Sequence, residues 1–242
     1  MNEVIRQLNN RKSVRAYTDR EIGKAEKDAI LMAAAQAPTA GNQQLYTILD
    51  ITDQQLKDKL VETCDHQPMI AQAKMVLIFC ADCKKWYDAY IAVGCQTRKP
   101  GVGDLMLAVT DAMIAAQNVV TAAESLGIGS CYIGDIMENC EQQRELLNLP
   151  EYVVPVGMVI FGYPTQQQEN RPKPERVDMK FIVHENSYAP LSHQDLEEMW
   201  TSRAGDKGYA AWMQAFCNRK YNSDFSREMT RSVAQYLEQF EK

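Results

Sequence analysis

Asp104-Leu-Met-Leu-Ala-Val-Thr-Asp-Ala-Met-Ile-Ala-Ala-Gln-Asn-Val-Val-Thr-Ala-Ala-Glu-Ser-Leu126 is the stretch whose periodicity decides the architecture. Leu105, Ala108, Val109, Ala112, Ala116, Val119, Val120 and Ala123 recur at helical spacing and leave little of the circumference polar. At a rise of about 1.5 Å per residue, such a helix crosses a whole domain. A helix apolar nearly all round is buried in a core or at a subunit interface. Asp111, Gln117, Asn118 and Glu124 interrupt the run, so it does not read as a membrane span, and Gly127 stops it.

Outward from this helix lie four strand patterns. Residues 75–80 are continuously apolar, as in a strand covered on both faces. Residues 153–161 read the same way, while residues 46–51 and 128–133 are further strands. Helices are expected after Gly23, with Glu26 at the third helical position and Ile30, Leu31, Ala34 and Ala35 turned inward, and over residues 54–62 and 142–147. Pro38 ends the first of these, and a short opening helix carries a stripe of Val4, Ile5 and Leu8. Residues 164–176 are polar, contain Pro172 and Pro174, and read as a loop or extended arm without helix. Helical patterns over residues 195–200, 209–217 and 225–240 close the chain, the first with Ser192 and Asp195 as a capping box. The fold class is α+β, with an antiparallel or mixed sheet.

The 242 residues suffice for one large domain or one domain with an extension. A net charge of −6 disfavours nucleic acid and anionic membrane as partners, so any basic cluster stands out. Seven cysteines, an odd count, argue against a disulfide framework and for a reducing cytoplasm. Met1–Arg6 has no charged segment followed by an apolar run, so no signal peptide is expected there.

Several chemistries lack their signature. There is no P-loop and no G-x-S-x-G elbow; Gly101-Val-Gly103 follows no strand, and Gly127-Ile-Gly129 has the wrong spacing for a Rossmann turn. His66, His184 and His193 are far apart, which argues against a zinc hydrolase. Cys80-Ala-Asp-Cys83 is a lone C-x-x-C ending a buried strand and reads as structural, with zinc or redox chemistry as the alternative.

The basic string Arg11-Lys12-Ser13-Val14-Arg15 is more informative. In an extended segment Arg11, Ser13 and Arg15 share one side and Lys12 faces solvent. Two guanidinium groups and a hydroxyl suit a phosphate ester, against the alternative of a solvated basic loop. Pro38-Thr39-Ala40-Gly41-Asn42-Gln43-Gln44 combines small residues, which let backbone approach a flat ring, with amides that donate and accept; its alternative is a plain turn. Arg171-Pro-Lys-Pro-Glu-Arg176 adds positive charge on a stiffened arm or, read plainly, a solvated loop.

Together, R-K-S-V-R-A-Y-T-D, A-P-T-A-G-N-Q-Q, V-L-I-F-C-A-D, A-A-Q-N-V-V-T-A-A-E-S-L-G-I-G-S-C-Y-I-G and V-H-E-N-S-Y resemble the FMN-dependent nitroreductase and flavin reductase family, most closely its larger NADPH-preferring, oxygen-insensitive branch. Order and spacing carry the resemblance over almost the whole chain. It implies a mostly antiparallel sheet flanked by helices, an entwined homodimer, an FMN-binding domain over residues 1–190 and a helical extension over 191–242.

The resemblance also implies residue roles. Arg11 and Ser13 would bind the FMN phosphate, with Lys173 and Arg176 completing that site. Arg15 would lie near the N1 and O2 edge. Thr39, Ala40, Gly41 and Asn42 would line the ring and ribityl chain, and Gln67 would touch the pyrimidine edge. Tyr132, Ile133, Gly134 and Asp135 would pass the ring with a backbone N–H toward N5. Arg219 and Lys220 resemble a position that contacts the extra phosphate of NADPH. Ser130-Cys131 and Asp135 stand where the family often has glycine, which implies a narrower and more acidic pocket. The stretched arm leaves open which of Arg171, Lys173 and Arg176 reaches the phosphate.

The implied activity is hydride transfer from NADPH or NADH through flavin N5 to a nitroaromatic, quinone or flavin acceptor in a ping-pong cycle, with no catalytic side chain and no metal. The competing readings are an FMN enzyme of the same fold with other chemistry, such as dehalogenation or flavin breakdown, and a non-catalytic FMN-binding module.

Overall fold

Four strands, β1 (Tyr46–Asp50), β2 (Met75–Asp82), β3 (Gly129–Ile133) and β4 (Val153–Gly162), form one sheet in the order β1-β2-β4-β3, antiparallel throughout. The computed structural model describes residues 1–241. The helices are α1 (Glu3–Asn10), α2 (Lys24–Ala35), α3 (Gln54–Thr63), α4 (Met69–Gln72), α5 (Lys84–Ala92), α6 (Val102–Ser125), α7 (Cys140–Leu146), α8 (Gln166–Asn170), α9 (His193–Ala204), α10 (Tyr209–Lys220) and α11 (Asp224–Leu237).

Strand β2 is buried along its whole length because alternate side chains enter two different cores. Leu77 and Phe79 join Val159 and Phe161 of β4 against α2 and α6. Val76, Ile78 and Cys80 join Met158 and Ile160 against Leu60 of α3 and Ile133 of β3. The expected helix at 104–126 is α6, begun two residues earlier, with Asp104 Oδ2 accepting from the Gly101 N–H at 2.8 Å. Ala108, Ala112, Ala115, Ala116 and Ala123 are fully buried, and their small side chains let α6 lie close to the sheet and α2. Among the described residues, α6 is the one helix long and apolar enough to cross a membrane, and this alanine-rich face is packed in the core.

Two elements depart from the sequence reading. The polar segment 164–176 contains α8, because Thr165 caps it by accepting from the Gln168 N–H. No helix was expected at α5, whose apolar stripe of Trp86, Tyr87 and Tyr90 is short and only half-buried. It is fixed by its ends: Asp82 Oδ1 accepts from the N–H groups of Lys84 and Lys85 at 3.0 and 3.2 Å.

The described chain divides into two compact units, Met1–Pro172 with Glu228 onward, and Lys173–Arg227. These boundaries differ from the single expected cut at 190/191. The chain returns to the first unit because Tyr236 and Phe240 are buried against Leu45, Leu105 and Tyr152. Polar groups fix the same return: Glu228 and Ser232 accept from the N–H groups of Asn139 and Cys140 at the start of α7, and Arg231 meets Glu141 at 2.8 Å. Within the second unit, α9 and α10 meet through Trp200 and Trp212, whose ring centroids are 6.2 Å apart.

Candidate functional site

The basic string lies along the open edge of the sheet. Ser13 bridges Ser130 of β3 in parallel register, and the Val14 N–H donates to the Ser130 carbonyl at 2.9 Å. Val14 points inward over Gly129, where a Cβ would lie 2.6 Å from its Cγ2. This crossing fixes the alternation, with Val14 buried and Arg15 exposed. Arg11 folds over the same edge, its Nη2 3.4 Å from Ser130 Oγ and its guanidinium carbon 5.8 Å from the Tyr132 ring centroid. Arg11 Nε is buried without a hydrogen-bond partner, and an anionic oxygen would satisfy such a donor.

Lys12 does not face solvent. Its Nζ donates to the carbonyls of Glu169 and Arg171, at 2.6 and 2.5 Å, where α8 leaves carbonyls without intrahelical partners. Arg171 Nη2 in turn donates to the Ser13 carbonyl at 2.7 Å. Of the three cations on the arm, Arg171 is the one brought to the string within the first unit. Lys173 and Arg176 belong to the second unit, as do Arg219 and Lys220 in the last turn of α10, where Arg219 stacks 5.2 Å over the Phe216 ring.

Thr39 leads into a 3-10 turn over Ala40–Asn42, in which Gly41 and Asn42 both have positive φ, 56° and 57°. Gly41 permits that shape at little cost. The turn is tied to the core helix by a residue that sequence reading noted only as a break in an apolar run. Asp111 of α6, 2% exposed, accepts from the Ala40 N–H at 2.9 Å and the Leu45 N–H at 3.2 Å, so one carboxylate holds both ends. Thr39 Oγ1 accepts from the Gln44 N–H at 3.1 Å and completes the loop. The available signal was a lone carboxylate on the apolar side of a core helix, where burial demands partners.

Beyond β3, Tyr132 and Ile133 lead into a 3-10 turn over Gly134–Met137 that carries Asp135. Tyr132 Oη donates to Gln117 Oε1 of α6 at 3.4 Å. Gln67 stands in the loop after α3, its Nε2 donating to the Cys64 carbonyl at 3.1 Å. Sequence reading also missed Glu138, which is 5% exposed, with Oε1 buried and without a hydrogen-bond partner. Burial first, then the charges of Asp135, Asp65 and Glu228, push its carboxyl up to about 7. Cys80 and Cys83 are both buried, and burial pushes each thiol up to about 12, as expected of structural cysteines. Among the described residues no cluster of histidine, cysteine or carboxylate is arranged to hold a metal.

The profile of the nitroreductase family matches residues 8–163, which contain the string, the loop and all four strands. The chain belongs to the nitroreductase family. An FMN reductase [NAD(P)H] of Bacillus subtilis is 32% identical over 98% of this nitroreductase-family chain and 92% of its own. An oxygen-insensitive NADPH nitroreductase of Salmonella typhimurium is 33% identical over 88% of each chain. The structure of B. megaterium NfrA2 superposes with a TM-score of 0.81 at 31% identity, covering 99% of this chain and 98% of that one. The expected nitroreductase-like α+β fold is thereby borne out.

Proposed function

We propose that the chain is an FMN-dependent NAD(P)H oxidoreductase of the nitroreductase type, working as a homodimer in the cytoplasm on small flat aromatic acceptors. The observation that carries this reading is the unmatched Arg11 Nε beside Ser13 and Ser130, a donor awaiting an anion at the edge of the sheet. Bound there, FMN would supply two-electron chemistry at its N5.

The residues supply the remainder. Arg11 and Ser13 bind the phosphate, with Lys173 and Arg176 assigned to it on the family resemblance. Arg15, an exposed guanidinium, stabilises negative charge at the N1 and O2 edge. Thr39, Ala40, Gly41 and Asn42 present backbone to the ring, and Asp111 sets their shape. Gln67 contacts the pyrimidine edge. Tyr132, Ile133, Gly134 and Asp135 form the wall at N5. Arg219 and Lys220 are assigned to the additional phosphate of NADPH.

The exposed apolar stripes support a homodimer. Val4, Ile5 and Leu8 on α1 are 53%, 46% and 47% exposed, and Met106 and Leu107 on α6 are 62% and 50% exposed. Helices α1 and α6 touch, and each offers a second copy exposed apolar side chains. All seven cysteines are free thiols, as suits a reducing cytoplasm.

The test is anaerobic mixing of the purified protein with NADPH, then with NADH. The protein is expected to be yellow, and the colour to bleach. A colourless protein that takes up no FMN overturns the reading, as does a flavin that neither nucleotide bleaches.

A further inference from the structure

The basic string changes partners at Arg15. Before it, Ser13 bridges Ser130 and the Val14 N–H donates to the Ser130 carbonyl at 2.9 Å, so the chain follows β3. After it, Tyr17 bridges Pro164, the Thr18 N–H donates to the Tyr163 carbonyl at 2.8 Å, and the Ala16 carbonyl accepts from the Thr165 N–H at 3.2 Å. There the chain follows the segment that leaves β4. The switch places the Arg15 N–H between two strand ladders, with a backbone partner in neither. A side chain fills that place, because Gln168 Oε1 of α8 accepts from the Arg15 N–H at 3.2 Å. The residue before it is fixed independently, with Val14 buried and its carbonyl accepting from Tyr17 Oη at 2.9 Å.

Gln168 is itself held. Its N–H donates to Thr165 Oγ1 at 3.4 Å, and it is half-buried. The far end of α8 grips the string again, through Lys12 Nζ on the carbonyls of Glu169 and Arg171 and through Arg171 Nη2 on the Ser13 carbonyl. A helix of five residues therefore meets the string at residues 12, 13 and 15. The Arg15 head has no such hold. It is exposed, and among the described residues its guanidinium has no hydrogen-bond or ion-pair partner. The rotamers open to a side chain depend on the backbone angles beneath it, so the bond to Gln168 governs where this head reaches.

We infer that Gln168 is a positioning residue, which fixes the Arg15 backbone so that the guanidinium stands at the N1 and O2 edge of the bound flavin and raises its reduction potential. The inference rests on the proposed place of Arg15 at that edge. Gln168 carries no charge of its own and acts through Arg15, because a cation stabilises developing negative charge best when it is held in place beforehand.

The experiment is the midpoint potential of the bound flavin, measured anaerobically against a reference dye. The FMN-loaded wild type is compared with Gln168→Met, Arg15→Ala and the double variant. Methionine keeps the length and helix propensity of glutamine and removes the acceptor, so α8 is retained. Gln168→Met should lower the potential in the same direction as Arg15→Ala, by a smaller shift. The double variant should match Arg15→Ala alone, since no guanidinium is left to aim; a general loosening of the arm would lower the potential further. A potential in Gln168→Met equal to that of the wild type, or a shift that adds in full to that of Arg15→Ala, overturns the proposal. If Arg15→Ala lowers the potential and Gln168→Met does not, the role of Gln168 alone is lost and the reading of Arg15 stands. If Arg15→Ala leaves the potential unchanged, or the protein holds no flavin, the proposal falls together with the reading on which it rests.

Discussion

Asp111→Ala tests the claim that one buried carboxylate shapes the loop proposed to line the flavin. The substitution leaves two amides without their acceptor, those of Ala40 and Leu45. Leu45 is 6% exposed, so water cannot replace the carboxylate there, and an unpaired buried N–H costs about 1–3 kcal/mol. Ala40 is half-buried, and its amide recovers part of the loss from solvent. Removing the carboxylate also relieves its own desolvation. The net expectation is a loss of about 2–3 kcal/mol. In a chain of this size each kcal/mol lowers Tm by about 2–4 °C, so the shift should be about 4–12 °C. The loop should loosen first, so FMN dissociation should accelerate more than global unfolding. Asp111→Asn keeps one acceptor oxygen and should fall between the two. The assays are thermal unfolding by circular dichroism and FMN release by fluorescence. A Tm within 1 °C of wild type with unchanged FMN release would refute the reasoning, because burial and two amide partners would then carry no free energy.

Arg11→Ala should mainly weaken FMN retention, while Arg15→Ala should also lower the flavin's midpoint potential; equal losses of affinity with no change in potential would remove the division between phosphate end and ring end. Gly129→Ala forces a Cβ to within 2.6 Å of Val14, so it should cost about 1–3 kcal/mol in a urea melt and displace the Arg11–Arg15 string, seen as weaker FMN binding. Glu138 binds its proton more tightly folded than unfolded, its carboxyl standing at about 7 against an ordinary 4.5. Stability from this group is therefore full below pH 4.5 and is lost as pH rises through 7. Glu138→Gln should flatten the decline of Tm between pH 5 and pH 8 and raise Tm at pH 8; an unchanged slope would contradict the assignment.

Much of this structure was legible because it is local. The runs at 75–80 and 153–161 are apolar at every position, and the structure shows why: their odd and even side chains enter different cores. The periodicity of α6 and the stop at Gly127, whose φ is 73°, were equally direct. The string Arg11–Arg15 showed its alternation in sequence, and the edge of β3 enforces it. By contrast, α5 was missed, because its stripe of Trp86, Tyr87 and Tyr90 is short and only half-buried. Lys12 was misjudged because its partners, the carbonyls of Glu169 and Arg171, lie more than 150 positions away along the chain.

By itself, then, the sequence determined the α+β class, the two-faced central strands, the core helix and the residue types proposed for a phosphate-and-ring site, together with their order along the chain. All of these follow from periodicity, charge and glycine placement within a few residues. Tertiary structure alone decided that Asp111 clasps the loop from Ala40 to Leu45, that the tail returns to bury Tyr236 and Phe240, and that Gln168 meets the Arg15 N–H. The physical reason is the same in each case. A buried polar group must be paired and an apolar tail must be covered, but only the folded chain determines which distant residue does so.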